Sequence, residues 1–170
     1  MATQSGTKVN LSITVDETKS NDLGLSNMLH VWQKIAEYAD GTSSNQSDLV
    51  YSDSATIAGS GGTTTYDLSG ALTSILDGSA VVFSNIVGFA VINKTLITTS
   101  DIEIGAGSNP WTGWLKASGD AVVVGPGGVF VWTSPIDGGA VVATTGDILT
   151  LTNNSASNID VDLIVWGRSA

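Results

Sequence analysis

The chain has 170 residues with no cysteine, and its sixteen Asp and Glu residues outweigh six Lys and Arg to give a formal net charge of -10. This length is typical of one β-sandwich or barrel and is sufficient to bury a core. The absence of cysteine excludes disulfides and cysteine-ligated zinc or iron–sulfur sites. Because the six cations form no run, the concentrated basic patch that nucleic acid requires is missing, and we expect no nucleic-acid partner.

Charged residues make up only 13% of the chain, well below the usual quarter or so. The sequence contains no run of about 18 uncharged apolar residues, and residues 1–10 lack the basic start and apolar centre of a signal peptide. We therefore expect no membrane partner, and we expect synthesis and assembly in a cytoplasm without secretion.

Apolar and polar residues alternate near the start of the chain. Val9, Leu11, Ile13 and Val15 are separated by polar residues, a period of two that predicts a strand. Residues 1–8, which are mostly small and polar, are predicted to form a flexible N-terminal arm. The remaining residues, 9–170, are predicted to form one domain.

Residues 25–39 fit two structures. The apolar positions match a helical stripe, which favours a helix. The same segment can be a strand with Trp32, Ala36 and Tyr38 on one face, and one helix in a chain of strand patterns is the less consistent choice. We therefore allow at most one short helix, within residues 24–39.

The clearest strand pattern lies in residues 121–135. Two β-branched runs, 122–124 and 129–132, flank Gly-Pro-Gly-Gly, which predicts a β-hairpin whose two apolar faces are both covered. Further strand patterns at residues 86–93 and 159–165, among others, recur about every 8 to 12 residues. The predicted fold is all-β, a single antiparallel β-sandwich of jelly-roll type.

Few residues suggest catalysis. His30 is the only histidine, and no G-x-S-x-G motif accompanies it, which favours a surface or packing role. Asp101 with Glu103, and Asp160 with Asp162, lie on one side of a strand as a glycosidase pair would. The same spacing is typical of any half-exposed sheet, so we expect no enzyme and no catalytic residue.

Two loop patterns resemble ligand motifs without completing them. Residues 40–48 alternate oxygen-bearing side chains, but a calcium loop needs Gly where Asn45 stands and Glu where Tyr51 stands. The glycine-rich stretches 59–62 and 105–107 lack the Lys-Ser/Thr ending of a phosphate loop. We expect no metal and no cofactor.

Trp111 and Trp114 are the aromatic residues whose role is most open. They lie in a predicted loop beginning at Asn109, where an indole can anchor a protein interface, pack internally or stack on a sugar. We predict partner contacts at Asn109, Trp111 and Trp114, and at Thr3 and Gln4 of the arm. The two function classes left open are a structural assembly module and a carbohydrate-binding β-sandwich.

The order of turn signatures resembles small structural proteins of tailed-bacteriophage virions. The shared signatures include a GT-x-x-NQ-x-D loop, a DL-x-G-x-L segment, a PGG turn and a G-D-x-L strand; they lie in residues 39–78, 105–115, 122–153 and 160–170. From the first of these segments to the last, the resemblance spans about three quarters of the chain.

This resemblance implies a jelly-roll head decoration or cement protein on the capsid surface of a virion. Its partners would be the major capsid protein and itself, as a homotrimer, and no catalytic residue transfers. The alternative within the same class is a tail or neck component.

Overall fold

A computed structural model describes residues 6–21, 24–70 and 72–170, which form thirteen strands and no helix. The strands are β1 Thr7–Asn21, β2 Gly24–Tyr38, β3 Leu49–Ile57, β4 Gly62–Asp67, β5 Leu72–Thr73, β6 Ala80–Val81, β7 Asn85–Asn93, β8 Ile102–Gly105, β9 Ala121–Val124, β10 Val129–Thr133, β11 Gly139–Ala140, β12 Ile148–Asn153 and β13 Ile159–Arg168. The part of the chain described includes no helix of the length and apolarity that crossing a membrane requires.

Nine of these strands form two antiparallel sheets. Sheet I has the order β10-β7-β13-β3, with β11 also paired to β7, and sheet II has the order β4-β12-β8-β9. The pairing is nested, since β3 pairs with β13, β4 with β12, β7 with β10 and β8 with β9. This is the winding of a jelly roll. The predicted all-β antiparallel sandwich is confirmed.

The core lies between the two sheets and follows from period-two alternation. In β13 the side chains of Ile159, Val161, Leu163 and Val165 are fully buried, whereas Asp160 is exposed on the other face. Sheet II contributes buried side chains from β8, β9 and β12 to the same cluster. Burial of these aliphatic faces is the main source of stability, at roughly 25 cal/mol per Å² of apolar surface.

The predicted hairpin at residues 121–135 is wrong. β9 pairs with β8 in sheet II, and β10 pairs with β7 in sheet I, so the two runs lie in different sheets. The turn itself is present, because Gly128 N–H donates to Gly125 O at 2.9 Å and Gly127 has a φ of +67°. Pro followed by a positive-φ Gly makes a type II turn, whose twist splays the flanking strands.

Residues 24–38 form a strand, so the helical alternative is wrong. β2 pairs with β1 along its whole length, from Thr7↔Tyr38 to Asn21↔Gly24. Thr7 and Lys8, predicted to belong to the arm, are the first residues of β1 because they pair with Tyr38 and Glu37.

Candidate assembly surface

The strands β1 and β2 form a two-stranded ribbon that belongs to neither sheet of the sandwich. Each strand has 15 residues, so at about 3.3 Å per residue the ribbon is roughly 50 Å long. Isolated two-stranded ribbons are marginally stable in water, because one pair of strands cannot bury an apolar face. The ribbon therefore has no apolar core of its own along this length.

One end of the ribbon is anchored on the outer face of sheet I. Tyr38 and Trp166 are buried there, in edge-to-face contact with ring centroids 6.4 Å apart. Gly88 of β7 lies directly beneath the indole, and a Cβ at that position would overlap the Trp166 ring. Val9 and Ala36 complete this seat, packing against the cluster that contains Tyr38 and Trp166. The absent side chain at Gly88 thus admits the indole on which the ribbon rests.

Two polar atoms are buried in this seat without a partner. The Tyr38 hydroxyl and Trp166 Nε1 make no hydrogen bond within the described part of the chain. Buried polar groups are usually satisfied, and each unsatisfied one costs roughly 1 to 3 kcal/mol. Apolar packing must therefore offset this cost at the ribbon's base.

Beyond the seat the ribbon is exposed on both faces. Every described side chain from Asn10 to Ser20 and from Asn27 to Ile35 is exposed. Because side chains directly opposite in the register share a face, one face carries five large apolar residues, which we call the apolar face: Leu11, Ile13, Val15, Met28 and Trp32. Their exposed areas sum to about 500 Å², within the range of the largest apolar patch of a typical monomer, and Glu17, His30 and Lys34 lie among them on the same face.

The opposite face of the ribbon is mixed. β2 contributes three exposed aliphatic residues, whereas the residues paired with them on β1 are polar. The aliphatic residues are Leu29, Val31 and Ile35. The two faces therefore differ in kind, and the apolar face is the one continuous with the seat at Val9 and Ala36.

Two pairs of side chains approach each other across the strands of the ribbon. Lys8 Nζ lies 2.7 Å from Glu37 Oε1, and this hydrogen bond and the lysine charge hold the pKa of Glu37 below its usual value. His30 Nε2 lies 3.5 Å from Glu17 Oε2. Both pairs are exposed, and exposed pairs contribute little to stability. The Lys8–Glu37 pair lies on the opposite face of the ribbon, whereas Glu17 and His30 lie on the apolar face, beside Met28 and Val15.

The structure places Trp111 and Trp114 against the core. Trp111 is only 1% exposed, and its Nε1 donates to Ala140 O at 3.1 Å. The ring of Phe89 lies 5.7 Å from Trp111 and 5.0 Å from Trp114, both edge to face. Internal packing thus describes Trp111, whose indole has no surface free to stack on a sugar.

The other predicted contact residues lie apart from these indoles. Asn109 is exposed, with a φ of +48°, and its carbonyl accepts the N–H of Asp147 and of Ile148. Thr3 and Gln4 lie outside the described residues. Partner contact at these positions stays a prediction.

The paired carboxylates of β13 are occupied by their neighbours. Asp160 accepts the hydroxyl of Thr56, and Asp162 accepts that of Ser54, each at 2.5 Å. Lys94 Nζ lies 2.7 Å from Asp162, and the hydrogen bonds from Lys94 and Ser54 lower the pKa of that carboxyl. A lowered pKa is the opposite of what a general acid requires.

The loop at residues 40–48 uses its oxygens within the protein. Gln46 Oε1 accepts the N–H of Ser43 at 2.9 Å, and the Asp48 carboxylate accepts the N–H and hydroxyl of Ser169. Across residues 6–21, 24–70 and 72–170, no group of three or more His, Cys, Asp or Glu side chains is placed to hold a metal.

Sequence reasoning missed the ribbon as a surface. The signal was present, since Val9 to Val15 alternate and Met28 and Trp32 fall on the same face once β1 and β2 are paired. It also missed aliphatic residues at loop tips, among them Leu76, which is 81% exposed, and Leu96, which is 83% exposed. Each tip residue has an aliphatic neighbour, Ile75 and Ile97 respectively.

Comparison with known proteins gave no family. No family model matches the chain, and no curated protein matches it. A solved structure described as "Crystal structure of PirA" is similar to 68% of this chain and 93% of its own, at 15% identity and a TM-score of 0.37. A likeness at that level carries no argument about fold or function.

Proposed function

We propose that this protein is a structural component of a virion, a head decoration protein that binds the major capsid protein and stabilises the assembled shell. The observation that carries its role in assembly is the ribbon, whose apolar face lies in water over more than half its length. Apolar surface of this size on a projecting element marks a protein–protein contact. The ribbon is therefore an assembly element, and from here on "the arm" means this ribbon, β1 with β2, and not the N-terminal segment 1–8.

The virion as the place of assembly is supported by the resemblance of the turn signatures. Those segments fall in the loops and strands of the sandwich, from the 41–48 loop to the end of β13. A protein that binds only the assembled shell stabilises that shell by mass action, in proportion to the logarithm of its free concentration over its Kd. Activity of this kind requires surface complementarity and no catalytic group.

The loop tips are the proposed capsid contacts. Ile75 and Leu76 form one exposed aliphatic tip between β5 and β6, and Leu96 and Ile97 form another between β7 and β8. The first tip precedes β7 and the second follows it, so they lie toward opposite ends of that strand. Only one tip can face the capsid if the sandwich stands end-on.

Cosedimentation with undecorated capsids tests the proposal. We expect saturable binding of the purified protein, loss of binding in either Ile75→Ser/Leu76→Ser or Leu96→Ser/Ile97→Ser, and retention in the other variant. Absence of bound copies from the capsid pellet overturns the decoration role. Labelling confined to tails in electron micrographs of the virion would assign the tail or neck alternative, and specific binding to a glycan array would favour the carbohydrate module.

A further inference from the structure

We propose that the apolar face of the ribbon packs on the outer face of sheet I of a second copy of this chain. The inference deepens the proposed function by naming what covers the arm, and it rests on that function only for the arm's role in assembly. The arm of one protomer and the sheet of the next form the contact.

The chain itself shows how the two surfaces fit. At the seat, Val9 and Ala36 of the ribbon pack against the same buried cluster as Ala90 and Val131 of sheet I. In the antiparallel register, Leu11 and Ile13 continue the ribbon face that starts at Val9. The ribbon thus carries, beyond its own seat, the same apolar pattern that already packs on this sheet.

An acceptor surface lies beside the seat on the same sheet. Ile164 of β13 is 43% exposed and pairs with Ala90, while Val50 of β3 pairs with the seated Trp166. Val129 of β10 is also exposed on this face. Ile164 and Val50 are diagonal neighbours across the β13–β3 pair, whereas Val129 lies two strands away from Ile164, on the far side of β7. Ile164 and Val50, which we call the acceptor strip, are left exposed by the chain's own ribbon.

The area is sufficient for a specific contact. Apolar side chains contribute about 500 Å² from the arm and about 150 Å² from Ile164 and Val50, and apolar atoms make up roughly 60% of a typical interface, so the total is about 1,100 Å². A specific interface needs at least about 1,000 Å². Each protomer would make two such contacts, one through its arm and one through its sheet.

Charge favours this partner as well. The segment 7–38 holds three of the six cations and four acidic residues, whereas residues 39–170 hold three cations and twelve acidic residues. Lys34 lies on the arm face beside Leu11, and Asp160 lies on the outer face of the acceptor strand β13. The arm is therefore nearly neutral and carries half of the lysine and arginine residues, whereas residues 39–170 have a net charge of -9. Contact between the arm of one copy and the sheet of another brings less like charge together than contact between two sandwiches would.

The geometry of the contact is heterologous, since an arm meets a sheet. Contacts of this type close into a ring when the rotation between neighbours allows it. The expected product in solution is therefore a closed oligomer whose stoichiometry is set by the angle at the seat.

Sedimentation velocity and light scattering of the purified chain test the inference. For the wild type we expect the mass of two or more chains of 17.4 kDa each. Ile13→Ser/Trp32→Ser, which alters two exposed residues of the apolar face, should weaken association about 30-fold or more, as removal of a central aromatic anchor does. Val31→Ser, an equally exposed change on the opposite ribbon face, should retain the oligomer.

A mixing experiment separates this arrangement from ribbon-to-ribbon pairing. Ile164→Lys should abolish association by altering the acceptor strip while leaving the arm intact. Mixed with Ile13→Ser/Trp32→Ser, it should form a complex of two chains, because one variant retains the arm and the other the acceptor. Near-UV circular dichroism from the core tryptophans verifies that each variant is folded.

A wild-type chain that stays monomeric at high micromolar concentration overturns the inference, as does failure of the two folded variants to complement. Capsid binding is scored separately, so an oligomer that ignores capsids would overturn the decoration role and leave the arm contact standing.

Discussion

Replacement of Phe89 by alanine is expected to destabilise the sandwich strongly. Phe89 is fully buried in β7 and contacts Trp111, Trp114, Phe130 and Trp132, with ring centroids between 5.0 and 6.0 Å away. Its removal leaves a cavity bounded by four rings that are themselves held by other strands. Collapse of the cavity is therefore limited.

The magnitude follows from burial and from these ring contacts. Truncation of a buried Phe to Ala costs about 3 to 5 kcal/mol, and poor collapse places Phe89→Ala near the upper end of that range. Since 1 kcal/mol shifts the Tm of a domain of this size by about 2 to 4 °C, the midpoint should fall by roughly 10 to 15 °C.

Urea unfolding followed by tryptophan fluorescence measures this loss, with Leu96→Ala as the control. Leu96 is also a large apolar residue, but it is 83% exposed, so its truncation should change the free energy of unfolding by less than about 0.5 kcal/mol. A loss below about 1.5 kcal/mol for Phe89→Ala would refute the packing of the two loop indoles on this ring.

Two further predictions concern the seat and the alkaline limit of stability. Gly88→Ala should lower the free energy of unfolding by about 1 to 3 kcal/mol, because its Cβ would force the Trp166 indole off β7. The control is Gly70→Ala, whose Cβ would meet nothing within 4 Å and which should be nearly neutral in urea unfolding. Equal effects of the two substitutions would contradict the packing of the Trp166 indole on Gly88. Burial and the hydrogen bond from its hydroxyl to Asp53 Oδ2, at 2.9 Å, raise the pKa of Tyr66, so its contribution is complete below the unfolded pKa of about 10 and is lost as the pH rises. Tyr66→Phe should lower the free energy of unfolding by about 1 to 2 kcal/mol at pH 7. Between about pH 9 and 11, the free energy of unfolding of this variant should fall less than that of the wild type. Parallel pH profiles of the two proteins in urea unfolding would show that Tyr66 does not titrate in that range.

The ambiguity of residues 25–39 has a physical cause. A strand that covers a core on one side shows clean alternation, but β2 is apolar on both sides, with Met28 and Trp32 on one and Val31 and Ile35 on the other. Such a pattern resembles a helical stripe. Pairing with β1, which is not a local property, makes it a strand.

The stretch 121–135, the clearest pattern in the sequence, shows where local information ends. Its β-branched runs and its Gly-Pro-Gly-Gly turn specify two strands and a reversal of the chain, and both are present. Which strand each run pairs with depends on partners far away in sequence, and these place β9 in sheet II and β10 in sheet I. The sequence already favours this outcome, because Pro126 cannot take the positive φ that a type I′ or II′ hairpin turn requires at that position, and the φ of Gly127 fits a type II turn.

Sequence alone therefore determined most of the strands and turns, the absence of cysteine chemistry and the all-β class, because each depends on residues close together in the chain; β2 is the exception, since its pairing with β1 decides it. Tertiary structure alone decided that Trp111 is buried beside Phe89 and that Leu11 to Val15 face water. Trp111 and the side chains of Leu11, Ile13 and Val15 are all apolar, so composition does not distinguish them. Burial depends on which surfaces the folded chain can bring together. In the part of the chain that the structure describes, the ribbon packs on its own chain at the Tyr38–Trp166 seat and extends into water beyond it.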